Sequence, residues 1–209
     1  MTALPTESRN LALTRRTALA GLALLAVPRT ASAADSPVGT VVSTEGQAFA
    51  RLTATRPLSP KADIFLGDLV WTGASSRASL DLSTATKLHL GPKSRLKIDR
   101  YVAETGGELV LGEGALVFDR PDGLPTINLE IRTSYGLIGV RGTRFFAGPS
   151  RGVFGVFVER GRVQVSAGGV VRAVSSGYGV DIPSPGAPPS LVRAWGRARI
   201  DEAFAGVIG

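Results

Sequence analysis

From Val38 onward, apolar residues recur at every second position in short runs, and Gly, Pro, Asp or Ser closes each run. Successive side chains on a strand point to opposite faces, so this period of two predicts half-buried β-strands. In Arg77–Leu82 and Lys87–Leu90 the alternation places Ala78, Leu80, Leu82, Leu88 and Leu90 on one buried face. Arg77, Ser79, Asp81, Lys87 and His89 then face water. Further runs follow at Val38–Ser43, Gln47–Leu52, Leu96–Ile98, Glu108–Leu111, Ala115–Phe118 and Ile127–Ile131. Others lie at Thr143–Phe146, Val153–Val158, Arg162–Val165, Val170–Val174 and Tyr178–Ile182. No helical period competes before residue 190. The expectation is an all-β domain of many short strands, either β-solenoid-like or a twisted β-sandwich, with a short C-terminal helix.

Two segments depart from this pattern. Pro183–Pro189 holds neither ladder nor helix and reads as a linker or an extended cover, placed at 183–190. Beyond it Ser190 is the expected cap of a short helical segment over 191–209 docked on the domain, with a partner surface at Trp195 and Phe204 as the other reading. At the other end, Arg9, Arg15 and Arg16 precede an apolar run from Thr17 to Val27, and Ala31-Ser32-Ala33 completes a secretory signal peptide over residues 1–33. The run is too short to span a bilayer. Thr14-Arg15-Arg16-Thr17-Ala18-Leu19 resembles a twin-arginine signal, with general secretion as the alternative route. Cleavage near Ala33 or Ala34 implies a periplasmic protein with no spanning segment of its own.

Composition narrows the chemistry. The chain of 209 residues has no Cys and one His, so disulfides, thiol nucleophiles and cysteine zinc sites are excluded. Removal of the signal takes away four Arg and one Glu, and the net charge of +7 becomes +4. The remaining cations are scattered among acids, and no basic block interleaves with aromatics, so nucleic acid is not an expected partner. His89 reads as a solvated strand residue. No nucleophile elbow, phosphate loop or calcium loop is present, and Gly73-Ala74-Ser75-Ser76-Arg77 reads as a turn. Asp119 and Asp122 form the nearest carboxylate pair, yet Asp119-Arg120-Pro121-Asp122-Gly123 is a turn sequence in which Asp bonds local backbone. No catalytic residue, metal ligand or cofactor is assigned.

The most unusual stretch is Thr133–Phe145, where Gly136, Gly139 and Gly142 recur at every third residue. Glycine there allows positive φ or close backbone approach. Arg141 beside Gly142 is expected to fasten a corner through several carbonyls, with an anion site as the other reading.

An ordered set of motifs spans residues 38–165. It comprises Gly39-Thr40-Val41 with Gly46, Gly67-Asp68 followed by Thr72-Gly73, Leu88–Leu90 with Pro92 and Ser94, and Gly107–Leu111 with Gly114. Ile131-Arg132-Thr133 then leads to Val140-Arg141-Gly142-Thr143-Arg144-Phe145, closed by Val156–Val165 with Gly161. This set resembles the FecR domain, the periplasmic sensor domain of ferric-siderophore and ferric-citrate regulators. The resemblance implies Gly67, Asp68, Gly139, Arg141, Gly142, Thr143 and Phe145 as structural motif residues. It also implies a β-rich, solenoid-like and non-enzymatic domain. Regulators of that family carry a cytoplasmic sigma-binding segment and a spanning helix, and here a cleavable signal stands in place of both. The expected function is thus an exported protein-interaction or ligand-sensing module with an envelope membrane protein as partner. The alternative is a cell-wall glycan-binding protein or carbohydrate hydrolase with Asp119 or Glu113 as acid, and a glycan or small ligand as its target.

Overall fold

The computed structural model describes residue 2 and residues 36–82, 85–102, 105–125 and 127–209. The export signal expected over 1–33 lies outside the described residues. The strands are β1 (Pro37–Glu45), β2 (Ala48–Arg51), β3 (Thr55–Pro57), β4 (Asp63–Phe65), β5 (Leu69–Thr72), β6 (Arg77–Leu82), β7 (Thr86–Leu90) and β8 (Arg95–Val102). They continue with β9 (Gly106–Glu113), β10 (Leu116–Asp119), β11 (Asn128–Thr133), β12 (Leu137–Ser150), β13 (Val153–Ala167), β14 (Val170–Ser175), β15 (Tyr178–Ile182) and β16 (Arg193–Ala194). One helix, α1 (Arg197–Ile208), follows.

The pairing path doubles back on itself and makes two wings. The first runs β3-β2-β5-β8-β9-β11 and reaches the N-terminal half of β12, while the second runs β4-β1-β6-β7-β10 and reaches its C-terminal half. Consecutive segments cross between wings, and β9 and β11, separated by β10 in the other wing, pair parallel as one turn of a coil. The inward positions of both wings meet in a single core. Val70, Leu96, Ile98, Leu109 and Ile131 come from the first wing, and Leu80, Leu88, Leu90, Leu116 and Phe118 from the second. The five residues predicted for the buried face of β6 and β7 are all at most 2% exposed.

The largest departure from expectation is the length of β12 and β13. The sequence places separate short strands at Thr143–Phe146, Val153–Val158 and Arg162–Val165, but these are pieces of two strands of 14 and 15 residues. They pair as one hairpin through both wings. Gly142 and Gly161, which read as breaks, instead bend the hairpin: φ is +50° and +84°, and the register shifts on either side of Arg144. A bulge bends a strand without ending its pairing.

The second wing also has a covered outer face. Ser79, His89, Val117, Phe146, Phe157 and Gly179 are successive register partners across it. Trp195, Ala203, Phe204 and Val207 pack over Val117, Phe146 and Phe157 as a second apolar cluster. A Cβ on Gly155 would stand 2.6 Å from the Trp195 ring, and one on Gly179 would stand 2.4 Å from it. These two glycines therefore form the floor on which the indole lies. Arg199 stacks on the indole 3.5 Å from the ring centre and is itself held by both carboxylate oxygens of Asp181. The helix starts at Gly196 with no side-chain cap. Ser190, expected as that cap, accepts instead from the Asp181 N–H at 3.0 Å. A helix of 12 residues with Gly206 inside it is marginal alone, so docking holds it. Trp195 and Phe204, each 7% exposed, face the domain's own sheet and not outward as a partner surface. The Pro-rich stretch belongs to the same compact unit as the strands. Ala187 packs on the core, and Pro189 is buried.

Candidate functional site: the bend of the long hairpin

The residues of the V-R-G-T stretch meet at the bend. Phe145, fully buried, stacks on Phe118 at 5.4 Å and anchors the bend to the core. Thr143 is also fully buried, and its carbonyl accepts from the Arg120 N–H at 3.0 Å. Its hydroxyl, by contrast, has no hydrogen-bond partner among the described residues. The adjoining Asp119–Gly123 segment is clasped to the hairpin by two arginines that face each other across it, Arg144 and Arg160. Arg144 Nη1 donates to Asp119 Oδ2 at 2.8 Å, and Arg160 Nη2 donates to Asp119 Oδ1 at 3.0 Å and to the Arg120 carbonyl at 2.7 Å. Glu159 lies in ion-pair contact with Arg144, and Asp122 with Arg160. Asp119 was expected to bond local backbone; both its oxygens are taken by guanidiniums from the hairpin. That geometry makes it a bridge. Glu113 is exposed at the end of β9, opposite Arg95.

Arg141 behaves differently from its expected role as a corner fastener. It is exposed, and its guanidinium makes no hydrogen bond or ion pair among the described residues. Its direct register partner is Arg162, equally exposed and equally unpaired. The two line a shallow depression of about 330 Å³ on the outer face of the first wing, with Asn128, Glu130, Gly139 and Gln164. Gly139 has ordinary strand geometry, and its missing side chain leaves the floor open. Sequence reasoning missed Arg162. The signal was available, because Arg141 and Arg162 lie equally far from the Arg151-Gly152 turn and so must face each other in a hairpin.

Gly67 and Asp68 do their work elsewhere, at the β4–β5 turn. Gly67 turns the chain at φ +87° and donates to the Ile98 carbonyl at 2.7 Å. The buried Asp68 carboxylate accepts from the Phe65 N–H at 2.8 Å and holds Arg56 of β3 bidentately. It therefore ties a peripheral strand to the wing.

Beyond the bend, Glu108 on the first wing sits between Arg132 and Arg100, with Oε1 2.7 Å from Arg132 Nε. Those hydrogen bonds, Arg132's first, lower its pKa to about 2. His89 accepts or donates at Nδ1 to the Ser79 hydroxyl at 2.8 Å. Burial, and then the nearby Arg144 charge, lower its pKa below the usual imidazole value. It is thus half-covered rather than solvated. Among the described residues no three His, Cys, Asp or Glu side chains converge on a possible metal position.

The strands that end the described pairing path offer little to an incoming strand. β3 and β4 have three residues each, β3 ending in Pro57, and β16 has two. β14 is longer, but its Arg172 shares the inward face with buried Val174. Short edges, edge proline and inward charge all discourage strand addition.

Comparison with known proteins agrees with this architecture. The FecR protein family matches residues 68–164, a span that holds both strands of the bent hairpin except the last three residues of β13. Two solved structures of a candidate anti-sigma factor from Parabacteroides distasonis ATCC 8503 share the fold. One, at 2.50 Å, has a TM-score of 0.54 and 15% identity over 66% of this chain and 64% of that one. The other, at 1.65 Å, has a TM-score of 0.51 and 17% identity over 66% and 65%. The chain thus spans a little less than two thirds of each. No curated protein matches the sequence. The motif order and the bent two-wing architecture accord with that match: residues 68–164 are similar to the FecR protein family.

Proposed function

We propose that this protein is an exported periplasmic FecR-domain module that acts without catalysis, binding an envelope membrane protein and reporting through it in signal transduction. The observation that carries the reading is the treatment of charge at the bend. Arg144 and Arg160 are neutralised internally by Asp119, Glu159 and Asp122, while Arg141 and Arg162, on an open face that also holds Glu130, make no ion pair among the described residues. Directly opposed like charges destabilise a strand pair. An external counter-charge would remove that cost, and a binding module supplies the occasion for one. The twin-arginine-like leader and the family match point to the same compartment.

The test is crosslinking in intact cells of a tagged full-length protein, with Arg15→Lys/Arg16→Lys as the unexported control. A membrane protein captured by the exported form and absent from the control is the expected outcome. Equal capture from both, or capture of soluble cytoplasmic proteins alone, would contradict the reading.

A further inference from the structure

We infer that the Arg141–Arg162 pair is the subsite for a carboxylate on an acidic, extended segment of the protein partner, an assignment that rests on the binding function proposed above. Each cation stands on its own strand of the hairpin, so the spacing between them is fixed by the ladder and not by loop flexibility. Two guanidiniums held side by side present parallel N–H donors, the arrangement that matches the two oxygens of a carboxylate. A strand pair places directly opposite residues about 4.5–5.5 Å apart at Cβ, within the span of one bridging oxyanion.

The rest of the depression selects the class of ligand. Asn128 and Gln164 are exposed amides, each able to donate and accept, as the alternating groups of an extended peptide backbone require. Glu130 on the same wall has no hydrogen-bond or ion-pair partner among the described residues and can accept from a backbone N–H of such a segment, a donor that phosphate dianion lacks. The open floor at Gly139 lets a main chain lie close to the sheet. The edges of the sheet, blunted as described, leave this face as the place where an extended segment can be read through its side chains.

The proposal separates cleanly from a structural role. If Arg141 and Arg162 fastened the bend, removing them would destabilise the protein. If they form an unsatisfied pair, Arg141→Gln/Arg162→Gln should leave the melting temperature unchanged or raise it. The measurement is an NMR titration of the purified full-length protein at low salt, following the Gly139 amide and the arginine side-chain N–H signals. The probes are an end-blocked hexaglutamate peptide, inorganic phosphate and acetate. Hexaglutamate should shift these signals at concentrations at least about tenfold lower than phosphate or acetate do, a factor that one charge-assisted contact supplies. The double substitution should abolish the difference. A lowered melting temperature in the double variant, a phosphate response as strong as the peptide's, or an unchanged peptide response would each overturn the assignment. The same variant, tested in cells, distinguishes the two claims. Loss of the membrane partner supports the subsite, and undiminished capture overturns it while leaving the binding function standing. Failure of the wild-type protein to capture any partner counts against the binding function itself.

Discussion

The indole of Trp195 couples the C-terminal segment to the sheet, and the coupling can be measured through one glycine. An added Cβ at Gly155 would meet Trp195 Cη2 at 2.6 Å, Cζ2 at 2.9 Å and Arg199 Nη2 at 3.3 Å, with no backbone atom among the three nearest neighbours. Everything that forbids a side chain there therefore belongs to the latch. Trp195 is 7% exposed. A tryptophan buries about 150–250 Å², which at about 25 cal/mol/Å² is worth up to about 4–6 kcal/mol. Its ring N–H has no partner among the described residues, and an unsatisfied buried donor gives back about 1–3 kcal/mol. Trp195→Ala should therefore cost about 3 kcal/mol, at the low end for such truncations. For a domain of this size that corresponds to roughly 6–12 °C in melting temperature. Gly155→Ala alone should cost about 1–3 kcal/mol through overpacking. In the Trp195→Ala background the same change should be neutral, or stabilising by about 0.5 kcal/mol, because Ala suits a strand better than Gly. Urea denaturation of the four proteins in the cycle gives the coupling directly. Gly179→Ala is the internal control: its Cβ would also stand 2.8 Å from the Val156 carbonyl, so its cost should persist without the indole. An equal penalty for Gly155→Ala in both backgrounds would refute the latch.

Four further outcomes are expected. Thr143→Val should raise stability by about 1 kcal/mol, because a buried hydroxyl without a partner is replaced by a methyl group of the same shape; a lower urea midpoint would show a hydrogen bond at that oxygen. Gly142→Val should destabilise the fold by more than about 1 kcal/mol through its positive φ alone, since nothing lies within 4 Å of the added Cβ; an unchanged melting temperature would contradict the bend geometry. Asp119→Asn should lower stability by about 1–3 kcal/mol by weakening two charge-assisted bonds and leaving Arg144 and Arg160 opposed; a neutral effect would remove the bridge from the account. Glu108 has a folded pKa of about 2 against an ordinary 4.5, so its stabilisation is complete above 4.5 and is lost as pH falls toward 2. Glu108→Gln should flatten the stability profile over that window, and identical acid profiles for the two proteins would contradict the ion-pair geometry.

The period-two pattern carried the strand faces because burial in β6 and β7 follows alternation without exception. It did not carry the hairpin. A bulge glycine looks the same in sequence as a turn glycine, and only long-range pairing shows that Gly142 and Gly161 bend strands without ending them. Asp119 was misread for a related reason. Its Asp-Arg-Pro-Asp-Gly context is a turn signal, yet the two arginines that claim it come from positions 144 and 160, which no local rule connects. Docking of the C-terminal helix is the reading its apolar residues favour, but its seat is hidden in sequence, because Gly155 and Gly179, which make room for Trp195, carry no side chain to announce a contact. Arg141 stood out in sequence as a charge among apolar neighbours. Its lack of a partner became visible only once Arg162 was opposite it.

The central claim is that the outer face at the bend is where a partner is read. A photo-crosslinking residue placed at Gln164, beside the arginine pair, and another at Val42, 51% exposed on β1 in the other wing, test it in exported protein within intact cells. The account predicts one membrane-protein adduct from position 164, lost in Arg141→Gln/Arg162→Gln, and none from position 42. Adducts of equal yield from both positions, or an adduct at 164 that survives the double substitution, would contradict it.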